Sequence, residues 1–449
     1  MRKKLPQQLS IVEPLIDHDH ARELREMDRI IHAHPEILDL IYADLIYGLK
    51  DPNTGRKGKL SAEQVLKSFI IKQMNGFSYK ILNYHLQDSR TYRSFCQFGF
   101  VDKIPSYKII QRDIKKLRPE TLEAIHHILM NGAEAKKIEK GRKVRTDCTV
   151  VESNIHHPSD SSLLNDSVRV LSRIMQQAKK SFGYVVPNYS RRAKRRALGI
   201  LNAKNKKART KLYRDLLKVS CKSVNAAEQV LNALEQSPPT DTVTATGIAS
   251  ELQGFIPLVK KVIDQAERRI FHEEKVPATE KIFSIFEPHT DIINKDKRDS
   301  YYGHKIAITG GASGLLSDVV IESGNPNDST LATKMIQRQV ALYGKVPKQA
   351  AFDGGFASKE NLEDIKKLGV KDVCFSKKCG LKVDEMAKSA WVYKQLRNFR
   401  AGIEGMISYL KRCFGLTRCN WSGFASFKSY VWSSVITANL LLMARRRLA

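Results

Sequence analysis

The stretch VRTDCTVV, residues 144–151, is rich in β-branched residues and follows the end of a basic helix, so it reads as a strand. It carries a carboxylate, Asp147, between Thr146 and Cys148. Further strand signals lie far downstream. YYGHKIAITGG (301–311) and SGLLSDVVIESG (313–324) are two β-rich runs around a glycine turn, hence a hairpin. KQAAFDGGF (348–356) is a short strand closed by Asp353, and VKDVCFS (370–376) is another. Between and after them, STLATKMIQRQVALYG (329–344), SKENLEDIKKLG (358–369) and RNFRAGIEGMISYLKRCFG (397–415) have helical patterns. Strands alternating with helices place this part of the chain in the α/β class.

Outward from this core the pattern is helical. Residues 1–58 contain the acid-bearing helical run HPEILDLIYADLIYGL (34–49) and end in a polar turn. From Leu60, SAEQVLKSFIIKQMNGF, SYKILNYHL and SYKIIQRDIKKL read as three short helices, the last carrying Lys108, Arg112 and Lys115 beside an apolar stripe. Short helices with a basic last member suit a helix-turn-helix reader of duplex DNA, although a plain helical bundle has the same pattern. After HHPSD (156–160) the sequence is helical for more than a hundred residues. There, Tyr189 to Lys222 holds thirteen Lys/Arg against one acid, Asp215. Phosphate contact by Arg191, Arg192, Arg195 and Arg196 is the expectation, and a solvated helix face is the alternative. The expected organisation is a helical N-terminal region over 1–135, with its DNA-binding part at about 60–117. A catalytic core follows over 140–160 and 280–420, with a basic helical insertion at 161–279 and a C-terminal helix at 421–449.

The 449 residues hold 76 Lys+Arg against 47 Asp+Glu, a net charge of +29, and the pI is near 9.7. Such a surplus favours a polyanionic partner, because each neutralised phosphate releases condensed counter-ions. The seven cysteines (96, 148, 221, 374, 379, 413, 419) include no CxxC pair, which argues for reduced thiols rather than a zinc site. The opening MRKKLPQQLSIVEP has no apolar core of signal-peptide length. YVWSSVITANLLLMARRR (430–447) is short for a membrane span of ~20 residues and contains Ser, Thr and Asn, so it reads as a buried helix. A cytoplasmic, nucleoid-associated protein with no membrane partner is expected.

Three acids are placed as phosphodiester chemistry requires: Asp147 in a strand, Asp353 at the end of another, and Glu404 on a helix. Two Mg²⁺ ions about 3.5–4 Å apart can activate the nucleophile and stabilise the leaving oxygen, and they want hard oxygen ligands. At about 100° per residue, Arg397, Arg400, Glu404 and Lys411 share one edge of that helix, beside the apolar arc of Ile403, Ile407, Leu410 and Phe414. An i,i+4 surface salt bridge explains Arg400–Glu404 equally well. Gly354 and Gly355, following Asp353, are expected to let substrate backbone approach.

RTDCTVVESNIHHPSDSSLL, the hairpin through GNPND, AFDGGFAS and RAGIEGMISYLKRCFG together resemble the DDE insertion-sequence transposases. The SIFEPHTDI segment (Ser284–Ile292) is most similar to the ISNCY group. The resemblance runs from about residue 60 to the C-terminus. It implies an RNase H-like core with a mixed sheet, in which Asp147, Asp353 and Glu404 are catalytic and hold Mg²⁺, with Mn²⁺ as a substitute. It also implies an enzyme that binds the terminal inverted repeats of its element, cleaves there and transfers the freed 3′-OH to target DNA, as a homodimer or higher assembly. Arg400, Glu404 and Lys411 match the last three members of a Tyr-x2-Arg-x3-Glu-x6-Lys signature, and Arg397 stands in the tyrosine slot. His304 and Lys305 are weaker DNA-contact candidates. A nuclease without strand transfer, or a catalytically silent DNA-binding descendant, are the rival readings.

Overall fold

The computed structural model describes residues 4, 16–49, 60–99, 101–236, 239–295, 299–377 and 379–449. The polar turn at 50–59 lies outside them. The chain divides into two compact units, residues 1–152 with 305–449, and residues 153–304.

Among the described residues, the first unit opens with seven helices: α1 (Asp19–His32), α2 (Glu36–Ile46), α3 (Ala62–Asn75), α4 (Tyr79–Asp88), α5 (Arg90–Phe95), α6 (Tyr107–Ile114) and α7 (Pro119–Ala135). Helix α3 is specified at both ends. Ser61 and Gln64 form a reciprocal capping box, and Gly76 takes the left-handed conformation that stops the helix. Every residue from Ala62 to Gln73 is buried, so α3 is a central helix rather than a surface one. Its charged residues are therefore matched internally: Lys67 donates to Glu63 at 2.6 Å and also pairs with Asp28. Lys72 lies over the rings of Tyr79 and Trp421, and burial lowers its pKa to about 8.

The rest of this unit is the mixed sheet and its helices. Strand β1 (Lys143–Glu152) leads out of the helical region. In the second unit come α8 (Asp160–Phe182), α9 (Ser190–Leu201), α10 (Lys206–Gln236), α11 (Thr242–Phe271) and β2 (Asp291–Lys295). Strand β3 (Asp299–Gly311) begins in the second unit and ends in the first. The chain then continues through β4 (Leu316–Ile321), α12 (Ala332–Tyr343), β5 (Gln349–Phe352), α13 (Lys359–Lys367), β6 (Asp372–Phe375), α14 (Val383–Met386), α15 (Ala390–Cys413) and α16 (Phe424–Leu448). In the first unit the strand order is β4–β3–β1–β5–β6, with β3 and β4 antiparallel and β1, β5 and β6 parallel. This is the mixed sheet of an RNase H-like core, and the α/β expectation holds. Strands β5 and β6 are buried almost throughout, whereas β1 alternates half-buried Lys143, Arg145 and Asp147 with buried residues before its apolar end.

The apolar run near the C-terminus is α16, almost entirely buried from Phe427 to Ala444. It packs against α1, α3, α7 and β4, so it belongs to the core of the helical region. Asn439 accounts for the polar residue in that run. Its side-chain oxygen accepts from Leu316 N–H at 3.0 Å and its amide donates to Leu316 C=O at 2.8 Å, closing β4 from the side. Among the described residues, no helix is long and apolar enough to cross a membrane.

The second unit is a bundle of α8–α11 around an apolar core that includes Leu164, Ile174, Leu216 and Val259. Ser159 and Ser162 cap α8, and left-handed Gly183 ends it. The side chain of Gln265 on α11 bonds both the N–H and the C=O of Ile282, which fixes the return of the chain toward β2.

Candidate active site

Parallel pairing of β1 with β5 puts Thr146 opposite Phe352, so the next residues, Asp147 in the middle of β1 and Asp353 just past the end of β5, lie side by side at the carboxyl edge of β5. That edge is where open α/β sheets form their crevices. Asp353 also stands at the start of a short 3₁₀ turn, Gly354–Phe356, without a capping bond from its side chain. Helix α15 crosses this edge, packing on β1, β5 and β6. Its start is capped by Ser389, and Tyr393 Oη ties it to Phe375 C=O at 2.7 Å. Two glycines set how closely it lies on the strands. A Cβ on Gly402 would meet Arg145 Nη1 at 1.9 Å, and one on Gly310 of β3 would meet Met406 Cε at 2.6 Å. Arg145 cannot easily swing aside, because it donates to Phe399 C=O and stacks on the Phe399 ring.

With α15 in that position, the guanidinium of Arg400 lies among all three acids. Its Nη1 is 3.3 Å from Asp147 Oδ2 and 3.0 Å from Asp353 Oδ1, and its Nη2 is 2.6 Å from Glu404 Oε1. The Arg400–Glu404 pair expected from the sequence is present, but it is one arm of a three-way junction. Ser376, just after β6, donates to Asp353 Oδ1 at 2.8 Å and fixes that carboxylate. Sequence reasoning passed over Ser376; its place at the end of a strand adjoining Asp353 was the available signal. Asp147 accepts the Cys148 N–H at 2.7 Å. Burial, and then the neighbouring Asp353 carboxylate, push the Asp147 pKa up to about 6, against the pull of Arg400.

Arg397 is exposed on the same helix, and Lys411 is partly buried two turns beyond Glu404. The glycines after Asp353 answer to the protein's own side chains. A Cβ on Gly354 would strike Lys377 at 2.8 Å, and one on Gly355 would come within 2.9 Å of Asp328 Oδ2. Lys305 is engaged with the same Asp328 and with Pro326 C=O, each at 2.8 Å. His304 is fully buried; it shares a 2.7 Å hydrogen bond with His289 and lies 3.1 Å from Asp291. As folded, neither residue is presented to a duplex.

In the second unit, Arg191 and Arg195 are exposed on α9, whereas Arg192 and Arg196 both bind Asp215 of α10. Those two arginines hold the Asp215 carboxyl down at about 2. The basic segment therefore spends two of its four leading arginines on its own fold. In the first unit, Lys108 and Arg112 on α6 and Lys115 at its end are exposed, with Arg112 also pairing with Asp113 at 3.1 Å.

Asp147, Asp353 and Glu404, parted by Arg400, are not drawn as close as two acid clusters elsewhere among the described residues, Asp28–His32–Glu63 and Glu123–His127–Asp318, whose ligand atoms lie within 4.8 Å of one another. Each already contains a cation of the protein, Lys67 in the first and Arg338 in the second.

A family model described as the transposase DDE domain matches residues 283–440, and a second, described as a transposase domain (DUF772), matches residues 10–116. Together they span more than half of the chain, which belongs to the DDE transposases of insertion sequences. No curated protein and no solved structure matches it. The ISNCY assignment rests on the Ser284–Ile292 segment alone.

Proposed function

We propose that this transposase binds the ends of its element, cleaves phosphodiester bonds with two Mg²⁺ ions held by Asp147, Asp353 and Glu404, and transfers the freed 3′-OH to target DNA. The observation that carries the reading is the convergence of three carboxylates from β1, the end of β5 and α15 on one guanidinium. The donor set fits hard divalent cations. Its oxygens come from three rigid elements, and the guanidinium they share supplies one positive charge for three negative ones. When bound, such ions activate the attacking oxygen and shield the charge that develops on the leaving one.

The chain's own residues do the rest. Asp147 sits on a buried strand and Asp353 is fixed by Ser376, so two of the three ligands are preorganised before substrate arrives. Glu404, exposed on its helix, completes the set from the open side. Lys411 and Arg397 lie along α15, where they can hold the phosphates that flank the cleaved bond. On α6, Lys108, Arg112 and Lys115 serve recognition of the terminal inverted repeats, and the exposed Arg191 and Arg195 add affinity that does not depend on sequence.

The test is cleavage and strand transfer by the purified full chain on duplexes carrying the element's ends. Asp147→Asn, Asp353→Asn and Glu404→Gln should each abolish cleavage while end binding persists. A variant that keeps near-normal cleavage removes its residue from the ligand set. Cleavage without joining would make the enzyme a nuclease.

A further inference from the structure

We propose that Arg400 is an exchangeable counter-ion of the active site: it holds Asp147, Asp353 and Glu404 together in the ion-free protein and yields them when divalent cations bind. The inference rests on the reading of those acids as ion ligands. It adds that the protein carries its own competitor for them.

The comparison with the other two acid clusters sets this one apart. Lys67 is wholly buried, and Glu63 beside it is 3% exposed. Arg338 faces Asp318, which is 2% exposed. In both, one acid that the cation neutralises is sealed inside the protein, while a second, Asp28 or Glu123, is 27% or 31% exposed. Around Arg400 no acid is sealed to that extent, the least exposed being Asp147 at 18%. The guanidinium is 14% exposed, while Asp353 is 41% and Glu404 64% exposed. Asp353 and Glu404 face solvent in front of the cation, so an incoming ion reaches these two without any part of the core opening, and Asp147 lies behind them.

The chemistry of the junction favours exchange. A guanidinium spreads one charge over a planar fork, which suits two carboxylates and is stretched over three, as the 3.3 Å separation from Asp147 shows. Divalent ions bring more charge to the same oxygens. Arg400 is attached to α15 by a long, flexible stem, so it can leave the carboxylates while Glu404, one turn away, stays in place. Once released it carries a full charge at the mouth of the site, free to take a phosphate of bound DNA. Ion loading and DNA binding would then reinforce each other through one side chain, since whatever draws the guanidinium away frees the ligands.

The experiment measures Mn²⁺ affinity by calorimetry on the full-length protein without DNA, with unfolding followed in parallel. Arg400→Gln removes the competitor. Three partly screened ion pairs are together worth about a tenfold change, so the variant should bind Mn²⁺ about tenfold more tightly than the wild type. Without ions it should unfold more readily, because the carboxylates then repel one another, and saturating Mn²⁺ should restore its stability. Arg400→Lys keeps the charge but loses the fork, and should also bind more tightly than wild type. It decides the matter if Arg400→Gln does not fold. Equal or weaker Mn²⁺ binding by these variants overturns the proposal, as an arginine that merely braces the site would give that result. Asp147→Asn and Glu404→Gln serve as the separate control. If they bind Mn²⁺ as well as wild type does, the ligand assignment itself fails, whatever Arg400 does.

Discussion

Replacing Asp147 by Asn should make the ion-free protein more stable at neutral pH while removing its activity. Asp147 is 18% exposed, so its charge is largely withdrawn from water, and the Asp353 carboxylate stands beside it. Together these raise its pKa from 3.8 to about 6. Because the folded state holds the proton more tightly than the unfolded state, stability falls as pH rises from about 4 to about 6, and is level above that. A rise of that size corresponds to about 3 kcal/mol, an upper figure because water can relax around a site open on one side. Asparagine keeps the shape and can still accept the Cys148 N–H, but it carries no charge at any pH. The gain over wild type should therefore be near zero at pH 4, grow between pH 4 and 6, and reach up to about 3 kcal/mol at pH 7.5. Urea unfolding of both proteins in chelator across that range measures it. Equal stabilities at every pH, or a less stable variant at pH 7.5, would refute the claim that this carboxylate is held against its own solvation. Stability sacrificed at a working site is a common trade, and here it would be assigned to one charge.

Three further outcomes are expected. Asn439→Leu should cost about 1–3 kcal/mol in denaturant unfolding, because the buried Leu316 N–H loses its acceptor, whereas Leu316 C=O keeps His126 at 2.9 Å. Arg191→Ala with Arg195→Ala should lower the slope of log K for DNA against log salt by about 0.9 for each phosphate that is no longer neutralised. The pair Arg192→Ala and Arg196→Ala should act chiefly on stability instead: their pairing with Asp215 stabilises the fold above about pH 4, and that contribution fades as pH falls toward 2. Lys411→Ala should leave Mn²⁺ binding nearly unchanged and slow single-turnover cleavage, since a lysine directed at a phosphate acts mainly on charge that peaks in the transition state. A lowered melting point with full activity would make it a structural residue.

Much of the architecture was legible locally. The strands at 143–152, 299–311, 349–352 and 372–375, and the helices between them, follow from β-branched runs, glycine turns and helical spacing, which act within a few residues. The apolar run before the C-terminus was correctly a buried helix. What it buries against could not be read, because α16 completes the helical region more than three hundred residues upstream, where it covers α3 together with α2 and α6. For the same reason the stretch 60–117 shares its core with the C-terminus, and end binding is best measured on the whole chain.

The site divides along the same line. Sequence alone offered Asp147, Asp353 and Glu404 through wording and order, and placed Arg400 one turn from Glu404. It did not show that one guanidinium meets all three acids, that Ser376 holds Asp353, or that Gly402 lets α15 settle against Arg145. Nor did it separate Arg191 and Arg195, which face solvent, from Arg192 and Arg196, which are bound to Asp215. It gave no sign that His304 is sealed inside. Periodicity assigns a residue to a strand or to a helix face, and that is a property of its neighbours in the chain. Whether a charge meets a partner, a phosphate or water depends on residues hundreds of positions away, and only the packed structure brings them together.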